Sequence, residues 1–202
     1  MKSLILASGS PRRRALLDDL GLSYQVQVPM IDENDVGECP EDIVKTNAKR
    51  KCAAVASTAA ADTLVIAADT LVFLGNEVLS KPVDLDDARR MLSLLSGKTH
   101  EVITGVALCD TATGQEVQGS ETTAVSFRLL NEAEIEHFVK AVSPLDRAGA
   151  YTVDGPGSLL VSRYEGCYLN VLGLPIVRLD TLMRQLGMTL FDYMNPEKAR
   201  FL

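Results

Sequence analysis

The stretch Ser3-Leu-Ile-Leu-Ala-Ser-Gly-Ser-Pro-Arg-Arg-Arg14 constrains the fold more than any other in the chain. A short apolar strand runs into a Ser-Gly-Ser turn, and a helix then opens. Ser10 suits the N-cap, because its hydroxyl can accept from an orphan backbone N–H, and Pro11 suits the first helical position. Arg12, Arg13 and Arg14 follow in the first turn, where the helix dipole is positive and disfavours each cation by about 0.3–1 kcal/mol. A bound anion would remove that conflict, since the free N–H groups, the dipole and the guanidinium forks would all point at it. These residues therefore predict a phosphate-binding strand–turn–helix, with a solvated basic patch as the alternative.

A chain of 202 residues, 47% hydrophobic and 23% charged, can bury a sizeable core and is not composed like a disordered protein. Its net charge of −7 argues against nucleic acid or an anionic membrane surface as a partner. An anionic ligand must then be held by a local basic cluster or through a divalent cation. The four cysteines, Cys39, Cys52, Cys109 and Cys167, are scattered without metal or redox spacing, which suggests free thiols and a cytoplasmic location. The apolar N-terminal run is too short for a signal peptide, and no stretch approaches the roughly 20 residues of a membrane span.

The patterning predicts helices over 11–20, 41–58, 85–96, 131–142 and 175–187, and strands over 23–28, 63–68, 71–74, 77–79, 100–109, 118–129, 158–164 and 167–172. Residues 29–41 read as an acidic loop and 148–157 as a Gly-rich one. Gly75-Asn76 marks a hairpin, and Asn131 with Glu134 a capping box. The last fifteen residues read as a loosely attached tail. Helices and strands mix without strict alternation, which predicts an α/β or α+β fold with a mixed sheet.

Asp69 stands out because it ends the apolar run Thr63–Ala68. A carboxylate there is costly to bury unpaired and calls for a metal, a cation or an exposed cleft mouth, unless it merely caps a turn. Lys81 is held extended by Pro82. The pair Asp32-Glu33 offers hard oxygen ligands suited to Mg²⁺, and Lys51 on a basic helix face could reach a phosphate. Viewed alone, each of these is more often a solvated surface group. His100 and His137 make no metal pair, and no G-x-x-x-x-G-K-[ST] or G-x-G-x-x-G fingerprint is present.

Taken in order, Leu6-Ala-Ser-Gly-Ser-Pro-Arg-Arg13, Ile31-Asp-Glu33, Asn47-Ala-Lys-Arg-Lys51, Ala68-Asp-Thr70, Lys81-Pro82, Ser96-Gly97, Thr104-Gly-Val-Ala107, Phe127-Arg128, Ala148-Gly-Ala-Tyr151 and Gly173-Leu-Pro175 resemble the Maf family of nucleotide pyrophosphatases. The resemblance implies a Maf/ITPase-like fold, a mixed α/β sheet in two lobes around a central cleft. Residues 1–187 would form one such domain, 188–202 a C-terminal tail, and two copies a homodimer. It also implies hydrolysis of a nucleoside triphosphate between its α and β phosphates with a divalent cation, Mg²⁺ or Mn²⁺. Asp69 would be the catalytic base and, with Glu33, a metal ligand. Ser8, Arg12, Arg13, Lys51 and Lys81 would hold the triphosphate, and Thr70 and Asp154 would bear on base choice.

Relatives selective for dTTP and UTP resemble this chain at Arg12 and Thr70 but carry Gln where Asp154 stands. A branch acting on methylated GTP has an acidic residue there and Gln in place of Thr70. Arg147 replaces the lysine common before Ala-Gly. The expected activity is therefore dTTP/UTP pyrophosphatase; the alternatives are a pyrophosphatase for a modified purine such as 7-methyl-GTP, or a non-catalytic nucleotide-binding regulator of cell division.

Overall fold

In the computed structural model, which describes residues 1–33, 37 and 39–200, the described residues form seven strands and six α-helices of a mixed α/β fold. The strands are β1 (Ser3–Leu6), β2 (Gln25–Val26), β3 (Thr63–Leu74), β4 (Glu77–Leu79), β5 (Thr99–Asp110), β6 (Gln115–Phe127) and β7 (Val161–Glu165). They pair in the order β2-β1-β3-β5-β6-β7, with β4 added to β3. The helices are α1 (Pro11–Asp19), α2 (Pro40–Ala56), α3 (Leu85–Leu95), α4 (Glu132–Val142), α5 (Tyr168–Val171) and α6 (Ile176–Gln185). Four positions of the expected acidic loop (34–36 and 38) lie outside the described residues. No helix among the described residues is long and apolar enough to cross a membrane.

The chain divides into two compact units. Unit 1 comprises 1–69, 104–121 and 173–202. Here β1 pairs in parallel with β2 and, from Ser3↔Thr63 to Leu6↔Ile66, with β3. Leu6, Leu17, Leu64, Ile66, Leu108, Leu174 and Leu179 are sealed in one core. A second core joins Ile5 and Ala7 on β1 and its following turn to Ala48, Cys52 and Val55 on α2. Of the segment expected to hang loosely, residues 188–200 are tied down instead, and 201 and 202 lie outside the described residues. Leu190 is buried, its N–H donates to the Asp180 carboxylate at 2.7 Å, and the Arg200 N–H donates to Asp19 O at 2.9 Å. Gly21 makes this possible: its φ is +70°, and a Cβ there would lie 2.7 Å from the Ala199 nitrogen.

Unit 2 comprises 70–103 and 122–172. The expected capping box forms between Asn131 and Glu134, and Asp84 caps α3 by accepting from Asp87 N–H at 2.8 Å. The expected strand over 167–172 is the helix α5, a correction with a local cause. Thr123 Oγ1 accepts from Cys167 N–H at 3.1 Å and donates to Cys167 O at 2.9 Å, while Asn170 Nδ2 donates to Val102 O at 2.9 Å. Side chains thus satisfy groups that a strand would have given to a ladder. The Gly-rich segment is not an open loop either, but two 3-10 turns, Ala148–Ala150 and Gly155–Leu159.

His100, Phe127 and Tyr151 stack edge to face in the unit 2 core, with centroids 4.9–5.3 Å apart. His100 is 2% exposed; its Nε2 pairs with Tyr151 Oη at 2.7 Å, and its Nδ1 has no partner. An imidazolium would need acceptors at both nitrogens, and burial lowers the pKa of the ring from 6.5 to about 4. Below pH 6.5 the unfolded chain therefore takes up a proton that the folded one refuses. Stability falls as pH falls, by about 2 kcal/mol at pH 5 and about 3 kcal/mol at pH 4. His100→Gln removes this contribution, so the difference in urea midpoint between wild type and variant should change between pH 7 and pH 5.

Candidate active site

The Ser-Gly-Ser turn follows β1 directly, and Ser10 caps α1 by accepting from Arg13 N–H at 3.4 Å. Arg13 folds back into the turn. Its Nη1 donates to Ser8 Oγ at 3.0 Å, and its Nε donates to Gly173 O at 2.7 Å. Ser8 and Arg13 are buried, whereas Arg12 is half-buried one position earlier. Burial lowers the Arg13 pKa; Asp69 opposes that, Arg12 adds to it, and Glu33 opposes it. The arginine turn therefore lies within electrostatic reach of both carboxylates.

Asp69 does not end its strand. It lies inside β3, between the stretch registered with β1 and the stretch Val72–Leu74 registered with β4. At 4% exposed it needs partners, and α2 supplies them. Lys51 Nζ donates to Asp69 Oδ1 at 2.6 Å, and Asn47 Nδ2 donates to Oδ2 at 3.0 Å. The same ammonium holds Glu33 Oε1 at 2.6 Å. Asn47 and Lys51 are four apart and so face the sheet one helical turn from each other.

Gly105 on β5 lets α2 approach closely enough for this. A Cβ there would overlap the Val44 carbonyl and lie 2.7 Å from Lys45 N, all backbone atoms that cannot rotate aside. Gly105→Ala should cost about 1–3 kcal/mol and lift Asn47 and Lys51 off Asp69. A lower melting temperature together with slower turnover per folded molecule is the expected result.

Two carboxylates held by one ammonium also offer a donor set to a hard divalent cation. Asp69 and Glu33 offer oxygen ligands, as Mg²⁺ prefers, and substrate phosphates and water would complete the shell. Among the described residues no group of three or more His, Cys, Asp or Glu side chains could hold a metal.

Thr70, Lys81 and Asp154 belong to unit 2. Thr70 is half-buried and follows Asp69 directly on β3; Lys81 and Asp154 are exposed. Gly149 N–H donates to Ser80 O at 3.1 Å, which fastens the Gly-rich segment beside Lys81. Asp154 accepts from the Thr152 hydroxyl. Arg147 pairs with Asp146 at 2.6 Å.

Residues 3–186 match the family described as Maf-like protein. The chain belongs to the Maf family. Among its Maf relatives, a dTTP/UTP pyrophosphatase of Desulforamulus reducens is 45% identical over 188 residues, covering 93% of this chain and 98% of the relative. One from Moorella thermoacetica is 46% identical over 188 residues, with 93% and 96% covered. Among solved structures, a Ham1 protein of Staphylococcus aureus is similar at TM-score 0.45 and 16% identity, covering 62% of this chain and 72% of that one. A HAM1 protein of Coxiella burnetii gives 0.47 and 16%, with 63% and 73% covered.

Asn47, Gly105 and the Gly173 carbonyl were not apparent as parts of the site from sequence. Asn47 carries two usable signals: it opens the resemblance segment Asn47–Lys51, and it is a poor helix former in a helix interior.

Proposed function

We propose that this Maf protein hydrolyses nucleoside triphosphates between the α and β phosphates, releasing a monophosphate and pyrophosphate, with dTTP and UTP as substrates. The observation that carries the reading is Asp69, buried and oriented by Lys51 and Asn47 within electrostatic reach of Arg13. Relatives at 45–46% identity named dTTP/UTP pyrophosphatase supply the substrate class.

Ser8, Arg12 and Arg13 would receive phosphate oxygens at the opening of α1, where N–H groups and guanidinium forks converge. Lys51 and Lys81 would neutralise further charge on the triphosphate. Asp69 uses one oxygen for each donor, and each oxygen keeps a second lone pair for a water proton. Water would then bond to the α phosphorus as the bond to the bridging oxygen breaks. The water proton passes to Asp69, and pyrophosphate leaves with the bond electrons. A divalent cation on Asp69 and Glu33, Mg²⁺ or Mn²⁺, would supply charge neutralisation at the phosphates. The reading includes a homodimer in the cytoplasm, in keeping with four free thiols.

Asp154 favours testing a second substrate class. A carboxylate accepts but does not donate, so it could take the N3–H of uracil or thymine yet leave O4 without the donor that Gln would give. A panel of triphosphates, including UTP, dTTP, GTP and 7-methyl-GTP, scored for pyrophosphate release separates the readings. Fastest turnover of UTP and dTTP, with a lower KM for both in Asp154→Gln, is expected. Preference for the methylated purine would reverse the substrate assignment, and tight binding without turnover would remove the enzyme.

A further inference from the structure

We infer that Asn47 is a positioning residue for the reaction, fixing the plane of the Asp69 carboxylate; this rests on the reading of Asp69 as the base. Asn47 is 1% exposed, in the interior of α2, where its intrinsic helix propensity is poor. Its Nδ2 donates to Asp69 Oδ2 at 3.0 Å. A carboxylate only accepts, so the amide nitrogen and not the amide oxygen must face it. Buried to this degree, Asn47 acts through Asp69 and not on substrate.

Lys51 alone could not fix the carboxylate. Its ammonium is a point charge on a flexible stem and is shared with Glu33 at 2.6 Å. A phosphate group would also compete for it. Asn47 is short, and Gly105 seats its helix against the sheet one turn earlier, at Val44. When Lys51 turns toward substrate, the Asn47 amide keeps Oδ2 in place and leaves Oδ1 aimed at water. A few tenths of an ångström in that aim matter, because reaction needs a near-attack geometry.

The test compares Asn47→Leu, Asn47→Ala and Asn47→Gln, each counted per folded site by binding of a non-hydrolysable α,β-imido UTP. Asn47→Leu and Asn47→Ala should lose kcat at least tenfold, while KM and analogue affinity stay within about twofold. Asn47→Gln keeps the amide donor and should recover part of the loss. The inference is overturned if kcat of the Leu variant stays within twofold of wild type. It is equally overturned if analogue affinity falls in step with kcat, or if Gln does no better than Ala. Should the Leu variant not fold, the comparison of Gln with Ala decides. Asp69→Asn, measured alongside, keeps the two readings apart: if it still turns over, the assignment of the base fails. If it is dead while the Asn47 variants are normal, only the role of Asn47 fails.

Discussion

Asp69→Asn is expected to fold like the wild type and to lose about 10²–10⁴-fold in kcat for pyrophosphate release, the range for removing a positioned general base. The fold should survive because an amide has nearly the shape of a carboxylate and can still accept from Lys51 Nζ, now 2.6 Å away. Asn47 can turn its own amide to present an oxygen to the new NH₂ group. The substitution removes one negative charge beside Arg13, Arg12 and Lys51, so triphosphate affinity should hold or tighten. Single-turnover rates with analogue affinity measured in parallel check both halves. Near-normal turnover would show that water is activated elsewhere.

Lys51→Met should give the largest loss of stability among the site variants. Removing one partner of a buried ion pair leaves the other charge uncompensated, at about 3–5 kcal/mol. Lys51 and Asp69 side chains are 8% and 5% exposed, whereas Glu33, at 39%, can turn to water. The penalty therefore falls on Asp69, and about 3 kcal/mol is expected. For a chain of this size that lowers the melting temperature by roughly 6–12 °C. Lys51→Met/Asp69→Asn should be more stable than Lys51→Met alone, because the stranded charge is gone; a double-mutant cycle measures the coupling. Additive losses would mean that the pair is not an energetic unit.

The sequence made the chemistry legible where residue type alone carries it. Ser10 and Pro11 announce the start of α1, Asn131 and Glu134 the start of α4, and a carboxylate at Asp69 after Thr63–Ala68 announces an unusual cost. Where tertiary partners decide, the pattern misled. Asp69-Thr70 reads as a break, yet β3 runs through it because Asn47 and Lys51 satisfy the carboxylate from a helix distant in sequence. The apolar residues 167–172 read as a strand, yet Thr123 and Asn170 draw them into α5. The C-terminal segment has little apolar periodicity, but Asp180 captures Thr189 and Leu190 and holds it. Gly105 lies in a segment that carries the family resemblance, but its role could not be read there; the need arises only when a helix backbone meets a strand backbone.

The clasp between Arg13 and the Gly173 carbonyl joins residues 160 positions apart. As the chain is synthesised, the arginine turn is made 160 residues before the carbonyl that clasps it. Until residue 173 has been made, the Arg13 guanidinium lacks the acceptor that anchors it. A chain truncated before residue 173 would keep the contact of Arg13 Nη1 with Ser8 but lack the carbonyl that holds Nε.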